Sequence, residues 1–208
     1  MSLNKDHRQK IISRYDYALM NHGFHPHSLL WSNTEIQELR FEKLLNIGIR
    51  TGDSILDVGC GFGDFAAYML TKKIETNYTG IDLSEKLLAE GRKHYPNINL
   101  VQGDLFDYSP KAKSFDYLTV SGTLNSKLDD DGVYALQVIE RMFESCSKGI
   151  AFNLLDARDE WTAGRWDLQS FLPDDIVEFM QKFTSRIEII DDYLKNDFTV
   201  LAWREARE

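Results

Sequence analysis

The sequence predicts an α/β domain: a doubly wound, seven-stranded sheet whose last strand is antiparallel, preceded by an N-terminal helical cap. Three observations carry this. From residue 54 onward, short apolar β-rich runs alternate with helix-like segments, the pattern of a parallel sheet covered on both faces. The chain ends differently, in two β-rich runs joined by Leu194-Lys195-Asn196-Asp197, which predict an antiparallel hairpin. The 208 residues, 43% hydrophobic and 12% aromatic, suffice for one domain with a sizeable core, which excludes disorder and small disulfide-braced scaffolds.

In chain order, helical segments at about 8–20 and 33–47 flank an irregular stretch at 21–32 and form a cap over residues 1–50. Residues 51–208 form the core of the same single domain. The second helix opens on Ser32-Asn33-Thr34-Glu35, read as a box in which the serine hydroxyl and the glutamate satisfy each other's free amides. Strands are expected at Ser54–Val58, Tyr78–Asp82, Ile98–Gln102, Ser114–Ser121 and Lys148–Leu155, then Arg186–Tyr193 and Phe198–Arg204 for the hairpin. Helices are expected near 64–72, 84–94, 131–146 and 173–183. The connection Asp156–Leu172 exceeds the usual length of about 2–6 residues. It carries Trp161, Trp166 and Phe171 among charged residues, a mixture suited to stacking on a ring, or else a surface loop with aromatics packed beneath it.

With 24 Lys plus Arg against 33 Asp plus Glu, the net charge of −9 argues against a nucleic-acid partner. Cys60 and Cys146 lack a C-x-x-C spacing, so neither a zinc site nor a disulfide framework is expected, and a reducing, cytoplasmic setting fits. The start of the chain is charged, and no run approaches the ~18 apolar residues of a membrane span. No membrane partner is expected.

The most informative stretch is Ile55-Leu56-Asp57-Val58-Gly59-Cys60-Gly61-Phe62-Gly63-Asp64, a buried strand, a glycine turn and a helix start. Gly59 and Gly61 permit a sharp turn and a close ligand approach, and free helix-start amides favour a negative group. Asp64 stands where a dinucleotide fingerprint places its last glycine, which counts against a pyrophosphate cofactor. Asp57 either faces the ligand or only braces the loop. Asp82, followed by Leu83, ends the second strand, where two carboxylate oxygens can accept both hydroxyls of a ribose. Ser84 is expected to cap the next helix. Asp104, ending the third strand, suits the exocyclic amine of a purine with Leu105 against the ring, or is a loop acid without a ligand. Ser121 and Gly122 open the fourth strand into the same crevice.

These four stretches, in this order, resemble the class I S-adenosylmethionine-dependent methyltransferase family over about residues 50–204. The resemblance implies a Rossmann-like sheet of seven strands with an antiparallel last strand. It implies S-adenosylmethionine as cofactor, bound through Asp57, Gly59, Cys60, Gly61 and Phe62, through Asp82 and Leu83, and through Asp104, Leu105, Ser121 and Gly122. The chain is also similar to small free-standing members with patterns like His22-Gly23, Trp31-Ser32, Gln37-x-x-Arg40-Phe41 and Ser121-Gly122-Thr123-Leu124-Asn125, a likeness that implies no particular acceptor. Members that methylate exocyclic or amide nitrogens carry an Asn-Pro-Pro-aromatic run after the fourth strand; its absence here favours a small-molecule acceptor.

Helical projection puts Gln37 and Arg40 inside the apolar arc of the second cap helix. A guanidinium there needs an anion, so Arg40 is read as facing the cofactor pocket and contacting the methionyl carboxylate or an acidic acceptor; the alternative is a pair with Asp57 or Asp64. His22, His25 and Asp156 are candidate bases, needed only if the acceptor must lose a proton, and Asn125 is a candidate for orienting the acceptor. His22, His25 and His27 suggest no metal, because no further ligand completes a set. The expected reaction is in-line methyl transfer by a monomer or homodimer. An NAD(P)-dependent oxidoreductase and a non-catalytic binder of S-adenosylmethionine are the alternatives.

Overall fold

The computed structural model describes residues 3–205. Five strands run parallel: β1 (Ser54–Val58), β2 (Asn77–Asp82), β3 (Asn99–Gln102), β4 (Phe115–Val120) and β5 (Cys146–Asp156). β7 (Ile187–Leu194) and β8 (Asp197–Trp203) form the hairpin, and β8 lies antiparallel to both of its neighbours. The order is β3-β2-β1-β4-β5-β8-β7, so the winding reverses between β1 and β4, where such sheets open a crevice at their carboxyl ends. A two-residue strand that the sequence did not suggest, β6 (Ser170–Phe171), pairs parallel with the end of β5.

Strand alternation sorts the core into two layers. Leu56, Leu118, Ile150 and Phe152 face one way and meet Ile139 and Met142 of α6 (Val133–Ser145) and Ile176 of α8 (Pro173–Met180). Ile55, Tyr117 and Ala151 face the other way and meet Phe65 and Met69 of α3 (Asp64–Thr71) and Phe41 and Leu44 of α2 (Thr34–Leu45). The second cap helix therefore completes a core layer. The first, α1 (Lys5–His22), buries only Ala18 and lies against α4 (Glu85–His94). Two single turns, α5 (Leu105–Tyr108) and α7 (Glu160–Ala163), a 3-10 turn at Pro26–Leu29 and a second one at Thr123–Asn125 complete the set among the described residues.

The expected start of α2 needs correction. Asn33, not Ser32, is the cap, its side chain accepting from the Ile36 amide at 2.8 Å. The Ser84 cap forms as expected, accepting from Leu87 N–H at 3.2 Å.

Candidate functional site

After β1 the backbone turns through Gly59 (φ 73°), Gly61 (φ 57°) and Gly63 (φ 91°), all in the left-handed region that side chains resist. A Cβ on Gly59 would lie 1.9 Å from Thr123 Oγ1, and one on Gly61 2.7 Å from Leu29 Cδ2. The turn is thus a floor on which other groups press directly. Above it, at the reversal of the sheet, lies a cavity of about 260 Å³. Its core wall includes Asp57, Gly59, Gly61, Asp82, Ser121 and Asn125.

Asp82 reaches the cavity from the end of β2. Its Oδ2 accepts from Gly61 N–H at 3.0 Å and its Oδ1 from Ser84 N–H at 2.9 Å, and burial pushes its carboxyl up. Each oxygen keeps a lone pair for a ligand. Asp57 is held by the hydroxyls of Tyr78 (2.6 Å) and Thr119 (2.9 Å), and burial pushes it up to about 6. Past the end of β4, across β1 from Asp82, Ser121 Oγ and Asn125 Oδ1 are buried without a protein partner, as is Arg40 Nε from α2. Such atoms are costly unless something else satisfies them.

Residues 55–147 match a protein family described as a methyltransferase domain. A demethylmenaquinone methyltransferase of Staphylococcus haemolyticus is 30% identical over 141 residues, 65% of this chain and 54% of that protein; the chain spans about half the length of this curated relative. These matches support a methyltransferase domain of the class I S-adenosylmethionine-dependent type over residues 55–147. Two solved structures share the fold. A SAM dependent methyltransferase from Archaeoglobus fulgidus superposes with a TM-score of 0.63 at 14% identity, over 82% of this chain and 94% of that one. Phosphoethanolamine N-methyltransferase 2 of Haemonchus contortus, solved in complex with S-adenosyl-L-methionine, superposes with a TM-score of 0.63 at 17% identity, over 94% and 57%.

The cavity fits the cofactor this methyltransferase family implies. Its lining brings together a carboxylate able to take sugar hydroxyls, Asp82, and a buried guanidinium, Arg40, of the charge that an amino-acid tail's carboxylate requires. Cys60 and Leu83 also line it, and Gly122 packs against Trp31, whose ring would meet a Cβ there at 2.7 Å. Asp104 lines it too, but its oxygens are engaged: Oδ1 caps α5 by accepting from Phe106 and Asp107, and Oδ2 takes Arg8 at 2.7 Å. Arg40 pairs with neither acid that the sequence suggested. Its Nη2 lies 2.5 Å from Asp197 Oδ2, while Gln37 donates to Asp64 at 2.9 Å.

Five expected site residues fall outside the cavity lining. Phe62 is buried beside Phe24, ring centroids 4.7 Å apart, and Leu105 lies in the main core. His22 packs edge-on against His27, and His25 accepts from the His27 amide through Nδ1. Asp156 is gripped by the Arg158 guanidinium at 2.6–3.0 Å. Trp161 and Trp166 point to solvent, 62% and 85% exposed, rather than toward a ring in the cavity. Among the described residues, no three His, Cys, Asp or Glu side chains are arranged to hold a metal ion.

The cap supplies Trp31, part of the Trp31-Ser32 pattern, and wall residues that motif reading missed: Ile11 and Tyr15 from α1, and Leu29 and Leu30 at the end of the Pro26–Leu29 turn. Burial, with Asp82 nearby, pushes the Tyr15 phenol up to about 12. The i,i+4 spacing of Ile11 and Tyr15 was the available signal.

Proposed function

We propose that this protein is an S-adenosylmethionine-dependent methyltransferase that transfers its methyl group in line to a small-molecule acceptor. One observation carries the reading: one cavity over the glycine turn after β1 is lined by Asp82 from the end of β2, by Ser121 and Asn125 past the end of β4, and by the buried guanidinium of Arg40. When bound, the cofactor supplies a methyl group already activated on a sulfonium, so the protein's task is alignment and exclusion of water. Asp82 holds the ribose hydroxyls, and Arg40 meets the carboxylate of the amino-acid tail. Cys60 and Leu83 pack beside the nucleoside. α1 and the 3-10 turn exclude water from above.

Asn125 orients the acceptor, next to an apolar wall of Leu124, Leu155 and Leu168. That wall, the −9 charge and the relative named for demethylmenaquinone support a small, largely apolar acceptor over nucleic acid. His22, His25 and Asp156 find no support as bases in this geometry. Cys60 and Cys146 are free and buried, in keeping with a cytoplasmic setting, and no helix among the described residues is long and apolar enough to cross a membrane.

Thermal unfolding with S-adenosylmethionine, S-adenosylhomocysteine and NAD tests the reading. A ligand present at about a hundred times its Kd adds about 2.7 kcal/mol, worth roughly 5–10 °C in a domain of this size. Both sulfur nucleosides should produce that shift. A shift with NAD alone would overturn the reading.

A further inference from the structure

Arg40 is buried, stacked at 4.5 Å over the Trp31 ring, and paired through Nη2 with Asp197; its Nε has no protein partner, and the residue lines the cavity. Asp197 opens β8 and is 1% exposed. The Tyr193 hydroxyl donates to its Oδ1 and lies 2.8 Å from Thr199 Oγ1. A buried ion pair is a weak source of net stability. This one joins the terminal hairpin to a side chain at the site, which gives it a different use.

We propose that Asp197, steadied by Tyr193, is a positioning residue: it aims Arg40 at the carboxylate of the cofactor's amino-acid tail and competes with that carboxylate for the guanidinium, so that binding draws a proton from solvent onto Asp197. This rests on the cofactor reading above. The groups facing Asp197 are Arg40 from α2, Tyr193 from β7, Thr199 on β8 and, farther off, Asp156 from β5, which Arg158 holds. Burial and Asp156 raise the Asp197 carboxyl, and Arg40 and Tyr193 lower it, leaving it at about 6. A second carboxylate at the guanidinium weakens the Arg40 contribution and raises Asp197 further. The bound state therefore holds more protons, and affinity rises as pH falls from 8 toward 6. Asp57, also raised to about 6, titrates in the same range, so the test must single out Asp197.

The experiment is calorimetry in two buffers of different ionisation enthalpy, from pH 6 to 8. The ligands are S-adenosylhomocysteine and 5′-methylthioadenosine, which lacks the amino-acid tail. Wild type should take up a fraction of a proton with the first and none with the second. The affinity for S-adenosylhomocysteine should fall between pH 6 and 8 by roughly tenfold for each unit by which binding raises Asp197. Asp197→Asn should abolish the uptake, flatten the pH profile and leave methylthioadenosine affinity unchanged. Tyr193→Phe keeps the carboxylate, removes one donor and should move the uptake to higher pH. It serves if Asp197→Asn does not fold.

Uptake unchanged in either variant, or the same for both nucleosides, overturns the proposal while leaving the nucleoside site standing. Failure of wild type to bind either nucleoside overturns the cofactor reading and this proposal with it.

Discussion

Asp57→Asn should stabilise the protein at alkaline pH and not in acid. Asp57 is 3% exposed, and its two hydrogen bonds, from Tyr78 and Thr119, do not offset the loss of water around its charge: burial pushes the carboxyl from an ordinary 3.8 to about 6. A shift of about two units corresponds to ~3 kcal/mol. The sign follows from linkage. Between those two values the folded protein binds more protons than the unfolded chain, so stability falls as pH rises through the window, and above it the whole penalty is present. Asparagine has the shape of the neutral acid and carries no penalty. Its amide must face a hydroxyl turned to accept, which reduces the gain to about 2 kcal/mol at pH 8, or roughly 4–8 °C in Tm. At pH 4 the gain should nearly vanish. Other titrating groups act on both proteins and cancel when the two melting curves are subtracted. A Tm difference that is the same at pH 4 and pH 8, or a loss at pH 8, would refute the reasoning. The gain should bring a functional loss, because a negative wall favours a cationic ligand: affinity for S-adenosylmethionine should fall relative to that for the neutral homocysteine analogue.

On the proposed role of Asp82, Asp82→Ala would remove two charge-assisted hydrogen bonds to a ribose, about 1.5 kcal/mol each, so calorimetry should show affinity for S-adenosylhomocysteine roughly a hundredfold weaker; a Kd within threefold of wild type would contradict that role. Gly59→Ala forces a side chain into a left-handed turn (φ 73°) and against Thr123 Oγ1 at 1.9 Å, and should cost about 1–3 kcal/mol in urea unfolding, with nucleoside binding reduced as well. Trp166→Ala, at a side chain 85% exposed, should leave stability within about 0.5 kcal/mol and cofactor affinity unchanged; a larger effect would show that the β5–β6 connection folds over the site when ligand is bound.

The strands were the most legible part. β1 runs over the residues expected, Ser54–Val58, and β2 and β3 differ by one residue at the start, because buried parallel strands read as apolar runs bounded by turn residues. The turns at Pro26–Leu29, Leu105–Tyr108 and Glu160–Ala163 and the two-residue β6 escaped, since elements this short carry no periodicity. Helical projection gave the burial of Gln37 and Arg40, but not that Arg40 reaches Asp197, an acid on a distant strand. An acid that ends a strand suits a ligand and a helix cap equally well. Asp82 keeps lone pairs facing the cavity, whereas Asp104 caps α5 and holds Arg8, and local sequence does not separate the two cases.

The uneven legibility follows from how the site divides. The core strands supply a floor whose backbone demands glycine, so its sequence is constrained and readable. The cap supplies a roof made of ordinary apolar contacts, Ile11, Tyr15, Leu29 and Trp31, which many sequences could provide. The roof is also the part with least to lose by opening. Of α1 only Ala18 is fully buried, and beside the half-buried Ile11 and Tyr15 its ties to the core are polar contacts: Arg8 with Asp104 and Asp107, Arg14 with Asp167, and Asp16 with Ser84 and Lys86. Contacts of this kind contribute little each and weaken with salt. Leu29 meanwhile occupies the space above Gly61 that a Cβ would otherwise fill. Amide hydrogen exchange is therefore expected to be faster in α1 than in α2, which Phe41 and Leu44 hold in the core together with Arg40; equal protection of the two helices would contradict this.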